Sequence, residues 1–261
     1  MEATEKGYAV QCPPRNGAKS VADAMAAYGA VHHRTISSMT RLAMDVARNS
    51  DYGIGYLMAS NSFICGARTK LVQHAIDMGY DYLFFIDADV DFPVNALRKL
   101  MHTAEKHNER AVAGLYCMRN HPHFPLIYME EDNAPGHCFP VLVHPEQHGK
   151  LIRCDATGFG CTLLRLDMFK DISREWFSLE GGGTEDIYFF CKAKRELGLS
   201  VVVDTAINCG HVGQEILVVP NRACRADSEE PGVRYLFSDE YCREHFEVED
   251  NQCSEGVIQT A

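Results

Sequence analysis

Apolar residues in the first half of the chain come in short runs, and between the runs they recur at helical spacing. Residues 8–13 form one such run, a short buried strand closed by Pro13–Pro14, with a loop over 15–19 after it. The stretch 21–48, rich in Ala and Met, reads as helix in two pieces broken near 32–35. Residues 53–59 give a further strand. Across 63–78, Leu71, Val72, Ala75 and Ile76 recur at helical spacing, and Gly79 supplies a C-cap. The run 82–86 is aromatic and aliphatic throughout, as expected of a central parallel strand buried on both faces. Pro93 suits the first turn of a helix reaching about His107, and 111–115 supplies the next strand. Strands alternating with helices imply an open α/β sheet built of right-handed crossovers. In such sheets ligands gather beyond the carboxyl ends of the strands, and Asp87 and Asp89 lie at one such end.

The second half is less regular. Residues 121–149 carry several Pro, His and Gly and read as loops with short strands; 158–164 opens a strand, 186–197 is a helix and 201–204 a strand. After about Gly213 the periodicity fades, which divides the chain into a folded domain over 1–216 and an acidic extension over 217–261. Of the formal net charge of -11, the segment from Arg225 onward contributes -7, from ten acids and three arginines, leaving -4 for the rest. That balance argues against a nucleic-acid partner. An acidic protein binds a polyanion only with a cation in between. No apolar run approaches the ~20 residues of a membrane-spanning helix, and the acidic opening residues do not read as a signal peptide, so a cytoplasmic location is expected. The 11 cysteines are scattered singly without a CxxC pair and read as reduced thiols; Cys65, Cys117, Cys161, Cys191 and Cys209 sit in apolar or small-residue surroundings.

The segment 83–93, Leu-Phe-Phe-Ile-Asp-Ala-Asp-Val-Asp-Phe-Pro, is the most informative. Three carboxylates after a hydrophobic strand repel one another, and desolvation adds to the cost. A hard divalent cation relieves both, because Mg²⁺ and Mn²⁺ favour oxygen ligands and share them with phosphates. On a strand end Asp87 and Asp89 point the same way while Ala88 points to the other face, so two carboxylates converge on one ion. An EF-hand loop is excluded: its sixth and twelfth positions fall on Phe92 and Arg98, where Gly and Glu are needed. The bland alternative makes the acids an N-cap and solvated turn before the helix opened by Pro93. Asp91 suits that role.

From Phe63 to Pro93 the chain resembles the GT-A superfamily of nucleotide-sugar glycosyltransferases, with the family's Arg-bearing helix, core strand and DxD. The stretch 156–169 is similar to its glycine-rich strand, 181–198 to the Glu-Asp helix start of inverting, family 2-like members, and 209–213 to the late metal-binding His of some members. The resemblance covers roughly Tyr8 to Gly213. It implies a GT-A, Rossmann-like, mostly parallel open sheet flanked by helices, with a less regular acceptor-side half. It implies transfer of a sugar, a hexose by expectation, from a UDP- or GDP-linked donor to a carbohydrate or other hydroxyl acceptor, with inversion.

By the same resemblance Asp89 is the principal metal ligand, Asp87 touches the ribose or the metal, and His211 completes a shell that favours Mn²⁺ over Mg²⁺. Ala88 lies between them in the donor site. Arg68 faces the nucleotide, and Pro13 and Arg15, with Asn16, border the base. Gly158 and Gly160 let the backbone approach the donor sugar, with Thr157 or Asp155 on its hydroxyls; a β-bulge is the alternative. Asp186, or Glu185, is the general base, Gly181–Gly183 form a mobile approach to it, and Trp176 is placed to stack on an acceptor sugar. Arg119, His121 and His123 stand within reach of the phosphates without an assigned role. Two other functions compete: a sugar nucleotidyltransferase, and a carbohydrate- or partner-binding protein that kept the fold and lost the chemistry. Oligomeric state is left open by the sequence.

Overall fold

The computed structural model describes residues 10–12, 14–27, 29–60, 63–120, 123–180, 183–213, 217–219 and 233–235. The chain runs β1 (Val10–Cys12), β2 (Ser20–Ala27), α1 (His33–Asn49), β3 (Gly53–Ser60), α2 (Ile64–Asp77), β4 (Tyr82–Ile86) and β5 (Val90–Asp91). It continues through α3 (Ala96–His107), β6 (Ala111–Leu115), β7 (Ile127–Glu130), β8 (Cys138–Pro140), β9 (Leu151–Cys154), β10 (Ala156–Thr157) and β11 (Cys161–Arg165). The last elements are α4 (Glu185–Leu197), β12 (Val201–Asn208), β13 (Gly210–Val212), β14 (Leu217–Val219) and β15 (Val233–Tyr235).

Eight strands form the main sheet in the order β1-β3-β2-β4-β11-β6-β12-β9. Strands β3, β2 and β4 are mutually parallel, as are β6 and β12, while β1, β11 and β9 run against their neighbours. The chain therefore has the expected Rossmann-type α/β fold, with an antiparallel strand set into its middle. Every residue of β4 is buried, and its side chains feed two cores. Phe85 packs with Leu71, Val72 and Ala75 of α2 and Phe189 and Phe190 of α4. Phe84 and Ile86 pack with Leu42 and Val46 of α1 and Leu97 and Leu100 of α3. A strand with apolar cover on both faces has no polar position to offer, which is why its sequence lacks alternation.

The structure overturns one predicted element. Residues 20–27 are a strand, not the first half of a helix. Ala and Met favour helices intrinsically, but here seven consecutive buried residues pair with β3 on one side, and those from Val21 to Met25 also with β4 on the other. Burial from both faces outweighs the local preference. The break expected near 32–35 is the true start of α1, where the His32 ring accepts from the Arg34 N–H. Asp91 is not an N-cap either: it lies in β5, and its carboxylate accepts from the Ser38 hydroxyl and pairs with Arg41. Helix α3 starts at Ala96.

A second sheet, β15-β14-β13-β5, stands beside the first. Its pairings set Gly210 against Asp91 and His211 against Val90. Strands β14 and β15 extend it past residue 216, so the boundary drawn there falls inside a sheet; the rest of the acidic extension lies outside the described residues. Among the described residues no helix is long and apolar enough to cross a membrane.

Candidate active site

The parallel strands β2, β4 and β6 end at one edge of the main sheet, and β11 begins there. The turn after β4 carries Asp87, Ala88 and Asp89. Its backbone is pinned from three sides: Ala88 O accepts from His32 N at 2.8 Å and from the Thr35 hydroxyl at 3.1 Å, Asp89 O accepts from Val212 N at 2.8 Å, and Asp87 N donates to Gly160 O at 3.4 Å. The loop before α1, the small sheet and the start of β11 thus converge on the acidic turn.

His211 reaches this turn because β13 pairs with β5. Its Nδ1 lies 2.8 Å from the Cys117 carbonyl. A carbonyl only accepts, so Nδ1 carries the hydrogen and Nε2 is left to face Asp89 Oδ2, 3.5 Å away. Two lone-pair atoms hold that position only with a proton or a cation between them. Burial pulls the imidazole below its ordinary range, but the hydrogen bond and charge of Asp89 more than offset it. Burial likewise pushes the Asp89 carboxyl up, and His211 and Arg119 bring it below the usual range. Arg119 Nη1 sits 2.7 Å from Asp89 Oδ2, so the carboxylate already holds a cationic partner from the loop after β6.

The expected shell of Asp87, Asp89 and His211 is not assembled. Among the described residues no group of three or more His, Cys, Asp or Glu side chains is placed to hold a metal ion. Asp87 is drawn away by Arg68, whose Nη2 lies 3.0 Å from Asp87 Oδ1. What remains is one carboxylate and one imidazole nitrogen oriented by a carbonyl. That donor pair fits an ion such as Mn²⁺ or Mg²⁺, which keeps waters and phosphate oxygens as its other ligands, rather than a closed protein cage.

Arg68 is corrected in turn. It is 3 % exposed and committed to carboxylates beneath the acidic turn, where the sequence reading had it facing a nucleotide. Its Nε lies 2.8 Å from Glu185 Oε1, and its guanidinium sits over the Phe85 and Phe159 rings. Burial pulls its pKa down, but Asp87 and Glu185 hold it above the ordinary value. Arg68 therefore ties the acidic turn to the first residue of α4. Glu185, spent on this buried pair, is not available as a base.

Asp186 is available. Its Oδ1 accepts from the Thr184 hydroxyl and, at 2.8 Å, from the Ile187 N–H. Oδ2 faces Gly158, where an added Cβ would stand 3.3 Å from it. Burial, then the adjacent Glu185 charge, push this carboxyl up to about 6. A carboxyl with that value is ionised at neutral pH and still basic enough to take a proton.

Tyr116 occupies the space that a side chain at Gly158 or Gly160 would need. A Cβ at 158 would lie 2.0 Å from the Tyr116 hydroxyl, and one at 160 would lie 2.9 Å from its ring. The hydroxyl accepts from Gly160 N at 2.8 Å, and the ring meets His211 edge to face at 5.5 Å. Tyr116 thus stands between the His211 side and the Asp186 side of the site. Thr157 and Asp155 are also committed elsewhere, the former to Leu126 O and the latter to Glu130 N and Lys194.

Two expected residues are not brought to the site. Arg15 follows β1, which runs antiparallel to β3, so its loop lies at the amino ends of the parallel strands; there Arg15 bonds to Ala47 O and Asp51 O. Trp176 is 2 % exposed and packs on Phe169, inside the aromatic core. Pro13 lies outside the described residues, as do His121, Gly181 and Gly182. Sequence reading gave no role to Tyr116 or His32 and none to Arg34, which lies 3.9 Å from Asp91. For the last two the missing signal was β2: once 20–27 is a strand, the loop after it becomes part of the ligand edge.

No family model matches the sequence, and no curated protein matches it. Among solved structures, A197 from STIV resembles the chain with a TM-score of 0.55 at 16 % identity, over 77 % of this chain and 90 % of that one. GalNAc-T7 with UDP, GalNAc and Mn²⁺ gives a TM-score of 0.49 at 12 % identity, over 75 % of this chain and 44 % of that one. The likeness to A197 is one of fold; the second is too loose to add to it.

Proposed function

We propose that the chain is a metal-dependent glycosyltransferase that moves a sugar, a hexose by expectation, from a UDP- or GDP-linked donor to an acceptor hydroxyl with inversion. The observation that carries this reading is the Asp89–His211 pair, a carboxylate and an oriented imidazole facing each other at 3.5 Å on the carboxyl edge of the sheet. Asp89 and His211 would hold the cation, with Mn²⁺ favoured over Mg²⁺ by the nitrogen. The bound ion supplies charge stabilisation to the departing diphosphate.

The chain's own residues do the rest. Asp186 receives the proton of the acceptor hydroxyl at Oδ2, its other oxygen being held by Thr184 and Ile187. Tyr116 and the glycines beneath it fix the wall between base and cation. Arg68 pairs with both Asp87 and Glu185 beneath the site. Arg34 and Arg119 add positive charge on the same edge, which favours a diphosphate on an otherwise acidic protein.

The test is product release. Incubated with Mn²⁺ and a panel of UDP- and GDP-sugars, the protein should slowly liberate the nucleoside diphosphate, and EDTA or Asp186→Asn should stop it. Pyrophosphate released from a nucleoside triphosphate and sugar phosphate would make it a nucleotidyltransferase instead. Binding of nucleotide sugars indifferent to EDTA and to Asp89→Ala would favour the non-catalytic alternative.

A further inference from the structure

Away from the acidic turn, Cys138 on β8 and Cys191 on α4 face each other with their sulfurs 3.3 Å apart. Both are free thiols; Cys191 is buried and Cys138 is partly exposed. The two are chemically unequal. The hydrogen bond from Cys191 draws the Cys138 thiol below its ordinary range, against burial and the charges of Glu130 and Asp155 and with help from Lys194. The same hydrogen bond, with burial and the charges of Cys138 and Glu130, pushes Cys191 up, against Arg195. The more accessible sulfur is the one inclined to ionise, and the protected sulfur stays a thiol beside it. Reactivity toward peroxides follows thiolate character and access.

We propose that Cys138 and Cys191 are a redox pair that a peroxide converts into a disulfide, tethering α4 to the β10-β7-β8 sheet. The Cys138 thiolate attacks one peroxide oxygen; an S–O bond forms, the O–O bond breaks, and the hydroxide released takes up a proton to become water. The Cys191 sulfur then attacks the Cys138 sulfur. The S–S bond forms, the S–O bond breaks, and the thiol proton leaves with the hydroxyl as a second water. Two electrons from the two thiols reduce one peroxide to two waters. The sulfurs close from 3.3 Å to about 2.05 Å, and α4 already packs against β10 of the same three-stranded sheet. Because α4 begins with Glu185 and Asp186, the tether fixes the helix that carries the proposed base. The inference goes beyond the transferase reading and does not depend on it.

The test uses the full chain. It is treated with hydrogen peroxide, its remaining thiols are alkylated, and it is digested without reductant. The expected result is a cross-linked peptide joining Cys138 to Cys191, reversed by dithiothreitol. Cys191→Ser should trap Cys138 as a sulfenic acid that reacts with dimedone. A wild-type protein that accumulates the Cys138 sulfenic acid without the cross-link, or that cross-links other cysteines in its place, would overturn the proposal. So would a pair that stays reduced while other thiols are oxidised.

Discussion

His211 turns Nε2 toward Asp89 Oδ2, 3.5 Å away, while its Nδ1 hydrogen is tied to the Cys117 carbonyl. Neither residue lies on the same element, and the short pairing of β13 with β5 is what joins them. An imidazole locked in one tautomer with its free nitrogen facing a carboxylate is prepared for a proton or an ion. Arg119 holds the same carboxylate oxygen from the other side.

Arg119 and a divalent cation then compete for Asp89. Arg119→Gln should tighten Mn²⁺ binding by up to about fivefold, the range of an exposed ion pair. Arg34→Gln, which removes the same charge nearby without touching Asp89, should change it less. Isothermal titration with Mn²⁺ reads both, and equal effects in the two variants would reduce Arg119 to one more positive charge.

Among the described residues Arg68 is the one cation paired with both Asp87 and Glu185, and it is buried. Arg68→Met leaves both carboxylates unpaired and should cost about 3 kcal/mol of stability. Adding Glu185→Gln should recover part of that loss. Chemical denaturation of the single and double variants checks it; an Arg68→Met protein as stable as wild type would mean that the pair carries no structural role.

The carboxyl of Asp186 titrates at about 6. A base works only when deprotonated, so the transfer rate should rise with pH through about 6 and level off above it. Asp186→Asn should lower kcat about 10²–10⁴-fold and abolish this limb. A pH–rate profile with no inflection near that value in the wild type would remove Asp186 from the role.

Much of this arrangement was legible in the sequence. The apolar run before Asp87 and Asp89, the Thr-Glu-Asp start of α4 and the late His211 each pointed locally to residues that the structure gathers at one edge of the sheet. The sequence misled where tertiary contacts decide. Residues 20–27 have helical composition, and only burial between β3 and β4 makes them a strand. Arg15 follows an apolar run that resembles a first parallel strand but pairs antiparallel at the sheet edge. Arg68 was recognisable as a basic residue near the site, yet nothing in its neighbours along the chain reveals that Glu185 lies 2.8 Å from it. Gly158 and Gly160 signal close approach correctly; the partner is the Tyr116 ring.

Asp23 is a cost of placing that strand at the centre. Burial holds its carboxyl well above the ordinary 3.8, and Oδ1 has no hydrogen-bond partner. With pH rising above that value the unfolded chain releases a proton that the folded chain keeps, so stability falls as pH rises. Asp23→Asn should flatten this slope, gaining on wild type at pH 8 relative to pH 5. Melting temperatures at the two pH values decide it, and parallel slopes would show that Asp23 does not titrate as described.

The most direct measurement is nucleoside diphosphate binding by equilibrium dialysis, with and without Mn²⁺, in the wild type and in Asp89→Ala and His211→Ala. If Asp89 and His211 share a cation with the diphosphate, Mn²⁺ should raise the affinity for UDP or GDP on the order of tenfold or more, and either substitution should erase that gain. An affinity that ignores the metal, or a gain that survives both substitutions, would contradict the account.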